Sequence, residues 1–213
     1  MKIYKLVFSP IQVNTYILSD ESGDCAIIDC GCYDHDEFGI LNDLILNKNL
    51  RPVLLLNTHC HLDHIFGNRF MLEKYNLRSF CHKDDNNNRK SSLNHAKMFG
   101  LVMETPPEPV GYLTDGQIIS FGQSYLTAIH VPGHAPGSLS FYCEKDKVVF
   151  TGDALFAGSV GRTDLLGGNY ETLINSIKNK LFTLPPETVV YPGHGDRTSI
   201  GDEIETNPFF IHN

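Results

Sequence analysis

The chain has no CxxC pair, although it carries cysteines at 25, 30, 32, 60, 81 and 143. That absence argues against zinc-ribbon and thioredoxin-type chemistry. Small core thiols in a reduced, cytoplasmic protein are expected instead. No GxSxG stretch is present, so the nucleophile elbow of serine hydrolases is missing. Basic clusters are scarce: none exceeds the pair Arg89-Lys90, and the formal net charge is −8. A nucleic-acid binder presents a basic face, so no nucleic-acid partner is expected. No apolar run approaches the ~20 residues of a membrane-spanning helix. Residues 1–16 lack the apolar core of a signal peptide. No membrane partner is expected. Internal repeats are absent by inspection.

What is present is ordinary globular composition. The 213 residues, 41% hydrophobic and 20% charged, suffice for one domain over 1–213 with a real core. Residues 2–8, 12–18 and 25–29 read as strands, with Ser9-Pro10 as a turn between the first two. Asp34 is placed to cap a helix carrying Phe38, Leu41, Leu44 and Ile45 at helical spacing. Val53-Leu54-Leu55-Leu56 is a continuous apolar run suited to a strand buried on both faces. A helix near 65–75 and a short strand at 78–82 follow. The polar stretch 84–104 reads as an exposed helix or a cover, ahead of a Pro-rich loop at 105–109. More strands are expected near 117–120, 125–131, 138–143 and 147–151. Asn169 can cap a helix to 181 with Tyr170, Leu173, Ile174, Ile177 and Leu181 on one stripe. A last strand at 188–191 precedes a helix near 199–206. Two strand-rich halves, each with helices, suggest packed sheets under helical layers.

The chemical signal is Thr58-His59-Cys60-His61-Leu62-Asp63-His64. Three imidazoles and a carboxylate lie within six residues, directly after an apolar strand. These donors suit zinc, iron and manganese. Backbone reversal in such a loop can turn His59 and His61 toward one point and Asp63 and His64 toward another. Three further elements follow strands or lie in glycine-rich turns: Val131-Pro132-Gly133-His134, Phe150-Thr151-Gly152-Asp153 and Tyr191-Pro192-Gly193-His194-Gly195. Four such groups at strand ends point to one convergent pocket.

With these motifs in order, the sequence resembles the metallo-β-lactamase superfamily over nearly its whole length. The resemblance implies an α+β fold, a four-layer αββα sandwich, with metals at one edge of the sheets. It implies a first metal held by His59, His61 and His134, a second held by Asp63, His64 and His194, and Asp153 bridging both. Two divalent ions are expected, with zinc foremost and iron or manganese as alternatives. Residues 151–158 and 192–195 are similar to the glyoxalase-II-like thioester hydrolases, the hydroxyacylglutathione hydrolase group. True β-lactamases of the commonest class place a Cys where Asp153 stands. Only 19 residues follow His194, so the separate C-terminal glutathione-binding domain of full-length glyoxalase II is not expected.

The implied reaction is hydrolysis of a small-molecule thioester. Two cations about 3.5–4 Å apart would share a hydroxide that attacks the carbonyl. Asp63 would orient the nucleophile and accept its proton. Arg162 and Asp164 stand where relatives place a Lys and a Tyr. Arg162 would hold a substrate carboxylate or carbonyl, or the two would form an internal salt bridge. Asp29 would hydrogen-bond the ligand loop, or simply form a turn. The alternative function is a mononuclear iron persulfide dioxygenase, whose members share a Gly161-Arg162-Thr163-Asp164-like run and use equivalents of His59, His134 and Asp153. A scaffold with a degenerate site is the remaining class, and the seven intact ligand positions argue against it. His35, His82, His95, His130 and His212 stand outside any motif, and surface or satisfied core roles are expected for them.

Overall fold

The computed structural model describes residues 1–211, so His212 lies outside it. The first sheet is built from β1 (Lys2–Phe8), β2 (Val13–Ser19), β3 (Asp24–Ile28), β4 (Arg51–Leu56), β5 (Phe80–Cys81) and β6 (Gly111–Tyr112), in that spatial order. The second half contains β7 (Ile118–Phe121), β8 (Ser124–His130), β9 (Leu139–Cys143), β10 (Val148–Gly152), the small hairpin β11 (Leu155–Phe156) and β12 (Ser159–Val160), then β13 (Val189–Pro192) and β14 (Thr198–Ser199). Its sheet runs β14-β13-β10-β9-β8-β7, with the hairpin apart. The helices are α1 (His35–Asn47), α2 (Leu62–Ile65), α3 (Asn68–Tyr75), α4 (Asn86–Met98), α5 (Tyr170–Ser176) and α6 (Ile200–Thr206).

Strand side chains alternate between faces, and here the alternation sorts three apolar clusters into layers. Tyr16, Leu18, Ala26, Ile28, Leu54 and Leu56 face Leu126, Ala128, Phe141, Val148 and Phe150 between the sheets. Their sequence neighbours Ile17, Cys25, Ile27 and Leu55 point outward onto Leu41 and Ile45 of α1 and Met71 of α3. On the far side, Val149 and Val190 meet Leu173 and Ile174 of α5 and Ile200 of α6. The arrangement is an αββα sandwich of two sheets with helices outside. β4 is buried on both faces over Leu54–Leu56, as its apolar run suggested, whereas Val53 and Arg51 at its start are exposed.

Two parallel pairs place the functional loops. β3 pairs in parallel with β4 (Ala26↔Leu54, Ile28↔Leu56), and β10 in parallel with β13 (Val148↔Val189). Parallel neighbours require a crossover: α1 supplies the first, and α5 lies within the second. The C-terminal ends of β3, β4, β10 and β13 therefore open toward the same region, the place where open α/β sheets bind ligands.

Several local expectations change. The helix near 65–75 is split into α2 and α3, because the Gly67 amide turns to the Cys30 carbonyl at 2.8 Å. The Asp34 cap on α1 and the Asn169 cap on α5 form, each accepting from the amide three residues on. After Ser176 the helix widens into a π-type turn over Ile177–Leu181, and Tyr170 is exposed rather than on the buried stripe. The stretch 84–104 is not simply exposed. Asn88, Arg89, Ser92 and Ala96 bury one face of α4. Polar composition hid this, since the burial is satisfied by hydrogen bonds such as Arg89 Nη2 to Glu108 Oε2 at 2.6 Å.

Candidate metal centre

Each chemically active side chain follows a strand. The loop after β4 carries His59, His61, Asp63 and His64, the loop after β8 carries His134, and β10 and β13 end beside Asp153 and His194. These seven side chains converge. His59 Nε2 lies 3.0 Å from His61 Nδ1 and 3.1 Å from His134 Nε2, and the latter pair closes at 2.9 Å. His194 Nε2 lies 3.1 Å from Asp63 Oδ2, and His64 Nε2 lies 3.6 Å from the same oxygen. Asp153 stands between the groups: Oδ1 is 3.4 Å from His64 Nε2, while Oδ2 is 3.8 Å from His134 Nε2 and 3.6 Å from His194 Nε2. Ligand-atom triplets compact enough for one cation are His59/His61/His134, Asp63/His64/His194 and His59/His64/Asp153.

The outer nitrogens define what the inner ones offer. His134 Nδ1 faces the Arg162 carbonyl at 2.8 Å and His194 Nδ1 the Gln12 carbonyl at 3.1 Å, so each donates there. Thr58 Oγ1 donates to Asp29 Oδ2 at 2.6 Å and thus accepts from His59 Nδ1 at 3.1 Å. His64 Nδ1 donates to Asp29 Oδ2 at 2.8 Å. His59, His64, His134 and His194 therefore aim Nε2 lone pairs inward when neutral, while His61 aims Nδ1. Lone pairs about 3 Å apart repel unless a cation sits among them. Zn–N bonds of about 2.0–2.1 Å place tetrahedral nitrogens roughly 3.3 Å apart, close to the observed triangle. His64 Nε2 and Asp153 Oδ1 are buried without a hydrogen-bond partner, as expected of atoms reserved for an ion. The donor set fits divalent cations.

The electrostatics differ between the two sets. Burial, reinforced by the neighbouring imidazoles, drives His59 well below its ordinary range and His61 down to about 3. Burial also opposes charge on His64 and His194, but the surrounding carboxylates, Asp63 and Asp153 foremost, outweigh it and raise both. For Asp63 and Asp153 burial favours the neutral acid, and His64 with its neighbours overcomes it, holding both carboxyls below the usual range. His59 and His61 are thus held neutral, while the second set is a group of anions and imidazoles.

Asp29 stands at the end of β3 with φ of 52° and accepts from Thr58 N at 2.7 Å as well as from Thr58 Oγ1 and His64. Arg162 is exposed and forms a two-armed pair with Asp164, both contacts at 2.7 Å. Cys60 does not face the donors; it packs with Ile65 and Cys81. Gly193 must be glycine, because a Cβ there would run into Asp153 Oδ1 and come 2.8 Å from His64 Cε1. Three contributors were missed in the sequence. Asn14 N donates to Gly193 O at 2.7 Å, and Tyr16 OH donates to Pro192 O at 2.7 Å, so β2 anchors the His194 loop. Asp85, fully buried, accepts from the Cys60 amide. None of the three sits in a ligand-like motif, so only three-dimensional proximity reveals them. A fourth triplet, His82/Asp84/His130, is also compact. Its rings stack at 4.1 Å and 16°, so their in-plane lone pairs run parallel instead of converging.

Comparison with known proteins agrees with this geometry. The chain is 38% identical to "Probable metallo-hydrolase YqgX" of Bacillus subtilis (strain 168), over 98% of this chain and 97% of that one. It is 34% identical to "Hydroxyacylglutathione hydrolase GloC" of Haemophilus influenzae (strain ATCC 51907 / DSM 11121 / KW20 / Rd), over 98% of each. Among solved structures it resembles BLEG-1 B3 metallo-beta-lactamase (TM-score 0.89, 33% identity, 99% of this chain and 100% of that one). It resembles TTHA1623 in a di-iron-bound form (0.88, 38%, 97% and 100%). It also resembles ETHE1 from Myxococcus xanthus (0.80, 27%, 98% and 84%). The family model of the metallo-beta-lactamase superfamily matches residues 9–194, the span that carries every converging donor, and the chain belongs to that superfamily.

Proposed function

We propose that this chain is a binuclear metallohydrolase that cleaves a small thioester. The observation that carries the reading is the position of Asp153, within reach of both donor sets, each of which is complete. His59, His61 and His134 would hold the first cation and Asp63, His64 and His194 the second, with Asp153 in reach of both sets. Zinc fits this donor set, as do iron and manganese; the di-iron form of TTHA1623 supports iron in a related site. When bound, a pair of divalent cations supplies a hydroxide near neutral pH and positive charge against the carbonyl oxygen.

The protein's own residues do the rest. Asp63 Oδ2, held 3.1 Å from His194 Nε2, orients the attacking water and takes its proton. Asp29 keeps His64 in the tautomer that presents Nε2 to the centre. Arg162 sits exposed beside the His134 loop, where its planar cation can leave Asp164 for a substrate carboxylate. The exposed pair costs little to open. GloC, named a hydroxyacylglutathione hydrolase, matches this chain over 98% of each, which supports a glutathione thioester as a substrate for a protein of this span. All six cysteines are free and buried, in keeping with a reducing cytoplasmic setting. Among the described residues no helix is long and apolar enough to cross a membrane.

The Gly161-Arg162-Thr163-Asp164 run favours a second reading, a mononuclear iron persulfide dioxygenase. Asp63 and His194 are in ligand-like contact 3.1 Å apart, a second position that a mononuclear site does not need. The test is a panel of thioesters, lactones, a β-lactam and a persulfide, run with zinc-loaded and iron-loaded protein beside an oxygen electrode. Thioester cleavage without oxygen uptake, abolished in a folded Asp63→Ala variant, is expected. One iron per chain with persulfide-dependent oxygen uptake would replace this reading with the second.

A further inference from the structure

Asp85 closes a short 3-10 turn (Lys83–Asp85) and occupies the N-cap position of α4, yet its side chain makes no capping bond to that helix's amides. It turns inward instead. Oδ2 accepts from the amide of Cys60, which lies between His59 and His61. Oδ1 accepts from the amide of Gly137, three residues beyond His134, at 3.3 Å, and from Asn88 Nδ2 at 2.9 Å. One fully buried carboxylate thus spans the two loops that supply the first donor triangle. The junction is close-packed: a Cβ on Gly137 would come 2.6 Å from Asp85 Cβ. A second clasp lies alongside. His82, just ahead of the turn, stacks on His130 at 4.1 Å, and His130 Nε2 contacts the Pro136 carbonyl at 2.9 Å.

A residue needed only to start α4 would spend its oxygens on the first helical amides. Asp85 spends them on the ligand-bearing loops. An acceptor-only group is required, because its bonds to Cys60, Gly137 and Asn88 all receive N–H donors. We propose that Asp85 is a positioning residue that holds the His59/His61 loop and the His134 loop in register, and so sets the affinity of the first metal position; this rests on the binuclear reading above.

The experiment is a competitive Zn²⁺ titration of metal-stripped protein against a chromophoric chelator, with hydrogen exchange at the Cys60 and Gly137 amides. His59→Ala identifies which binding phase belongs to the first position. Asp85→Asn keeps the size but puts a donor against an N–H. It is expected to weaken the first position about 10–100-fold, the usual effect of losing a partner behind the ligands. The second position is expected to be unchanged, with faster exchange at Cys60. Asn88→Ala removes a partner that touches neither loop and should leave both affinities intact. Should Asp85→Asn fail to fold, Gly137→Ala pries open the same junction and should weaken the first position selectively. Equal loss at both positions, or wild-type affinity at the first, would overturn the proposal. A wild-type protein that takes up no zinc, or a His59→Ala variant that loses none, would instead sink the binuclear reading and this inference with it.

Discussion

Asp29 offers a sharp quantitative prediction because its three hydrogen bonds and its backbone can be perturbed separately. Its carboxylate receives Thr58 N at 2.7 Å, Thr58 Oγ1 at 2.6 Å and His64 Nδ1 at 2.8 Å, all buried. Its φ of 52° lies in the left-handed region, which Asn tolerates as Asp does and Ala does not. Asp29→Asn therefore leaves the backbone relaxed and keeps one acceptor. The amide that replaces Oδ2 meets His64 Nδ1, and the ring recovers a bond only by moving its proton to Nε2, the atom facing Asp63 and Asp153. We expect Asp29→Asn to cost about 1.5–3 kcal/mol, one hydrogen bond to a charged group. It should also weaken the second metal position about 10–100-fold. Asp29→Ala orphans further donors at about 1–3 kcal/mol each and adds about 1–2 kcal/mol for the left-handed backbone. Its total of about 4.5–11 kcal/mol is comparable to the whole stability of a typical domain. The assay is urea unfolding of metal-stripped protein followed by far-UV circular dichroism, since the chain has no tryptophan. An Ala variant no less stable than the Asn variant would refute the reasoning.

Three other outcomes follow from the site. His61 is pushed to about 3 and His59 well below its ordinary range, whereas His64 and His194 are raised. A cation at the second position must therefore displace protons from His64 and His194, whereas His59 and His61 at the first carry none to displace. On acidification the second metal should leave first, measured as stepwise metal content after dialysis at falling pH; release of the first position ahead of it would contradict the electrostatics. Gly193→Ala should lose metal and turnover while far-UV dichroism stays native, because its Cβ would strike Asp153 and His64; full metal content would count against that contact. Arg162→Ala should change stability by less than about 0.5 kcal/mol, as an exposed pair allows. It should raise KM for carboxylate-bearing thioesters with little change in kcat, and an unchanged KM would leave Arg162 as a loop-shaping partner of Asp164.

The sequence made the layered fold legible wherever short apolar runs were clean, as in residues 25–29 and 53–56, and wherever a capping residue preceded an apolar stripe, as at Asp34 and Asn169. It failed where burial is polar. Nothing in Asp84-Asp85-Asn86-Asn87-Asn88-Arg89 signals a docked turn, because its burial is offset by hydrogen bonds to distant backbone that no local window contains. The break between α2 and α3 likewise depends on a carbonyl at Cys30, far back in the chain. The seven convergent donors were legible because each sits at a strand end in a dense, unusual motif. Their supports at Asn14, Tyr16 and Asp85 were not, since those residues act through backbone atoms of other segments.

Whether the seven side chains hold two cations side by side is tested most directly by a crystal structure of zinc-reconstituted protein, with anomalous scattering recorded at the zinc edge and metal content measured on the same preparation. Two anomalous peaks are expected, one among His59, His61 and His134, the other among Asp63, His64 and His194, with Asp153 reaching both. A lone peak in the presence of excess metal, or none between these residues, would contradict that arrangement.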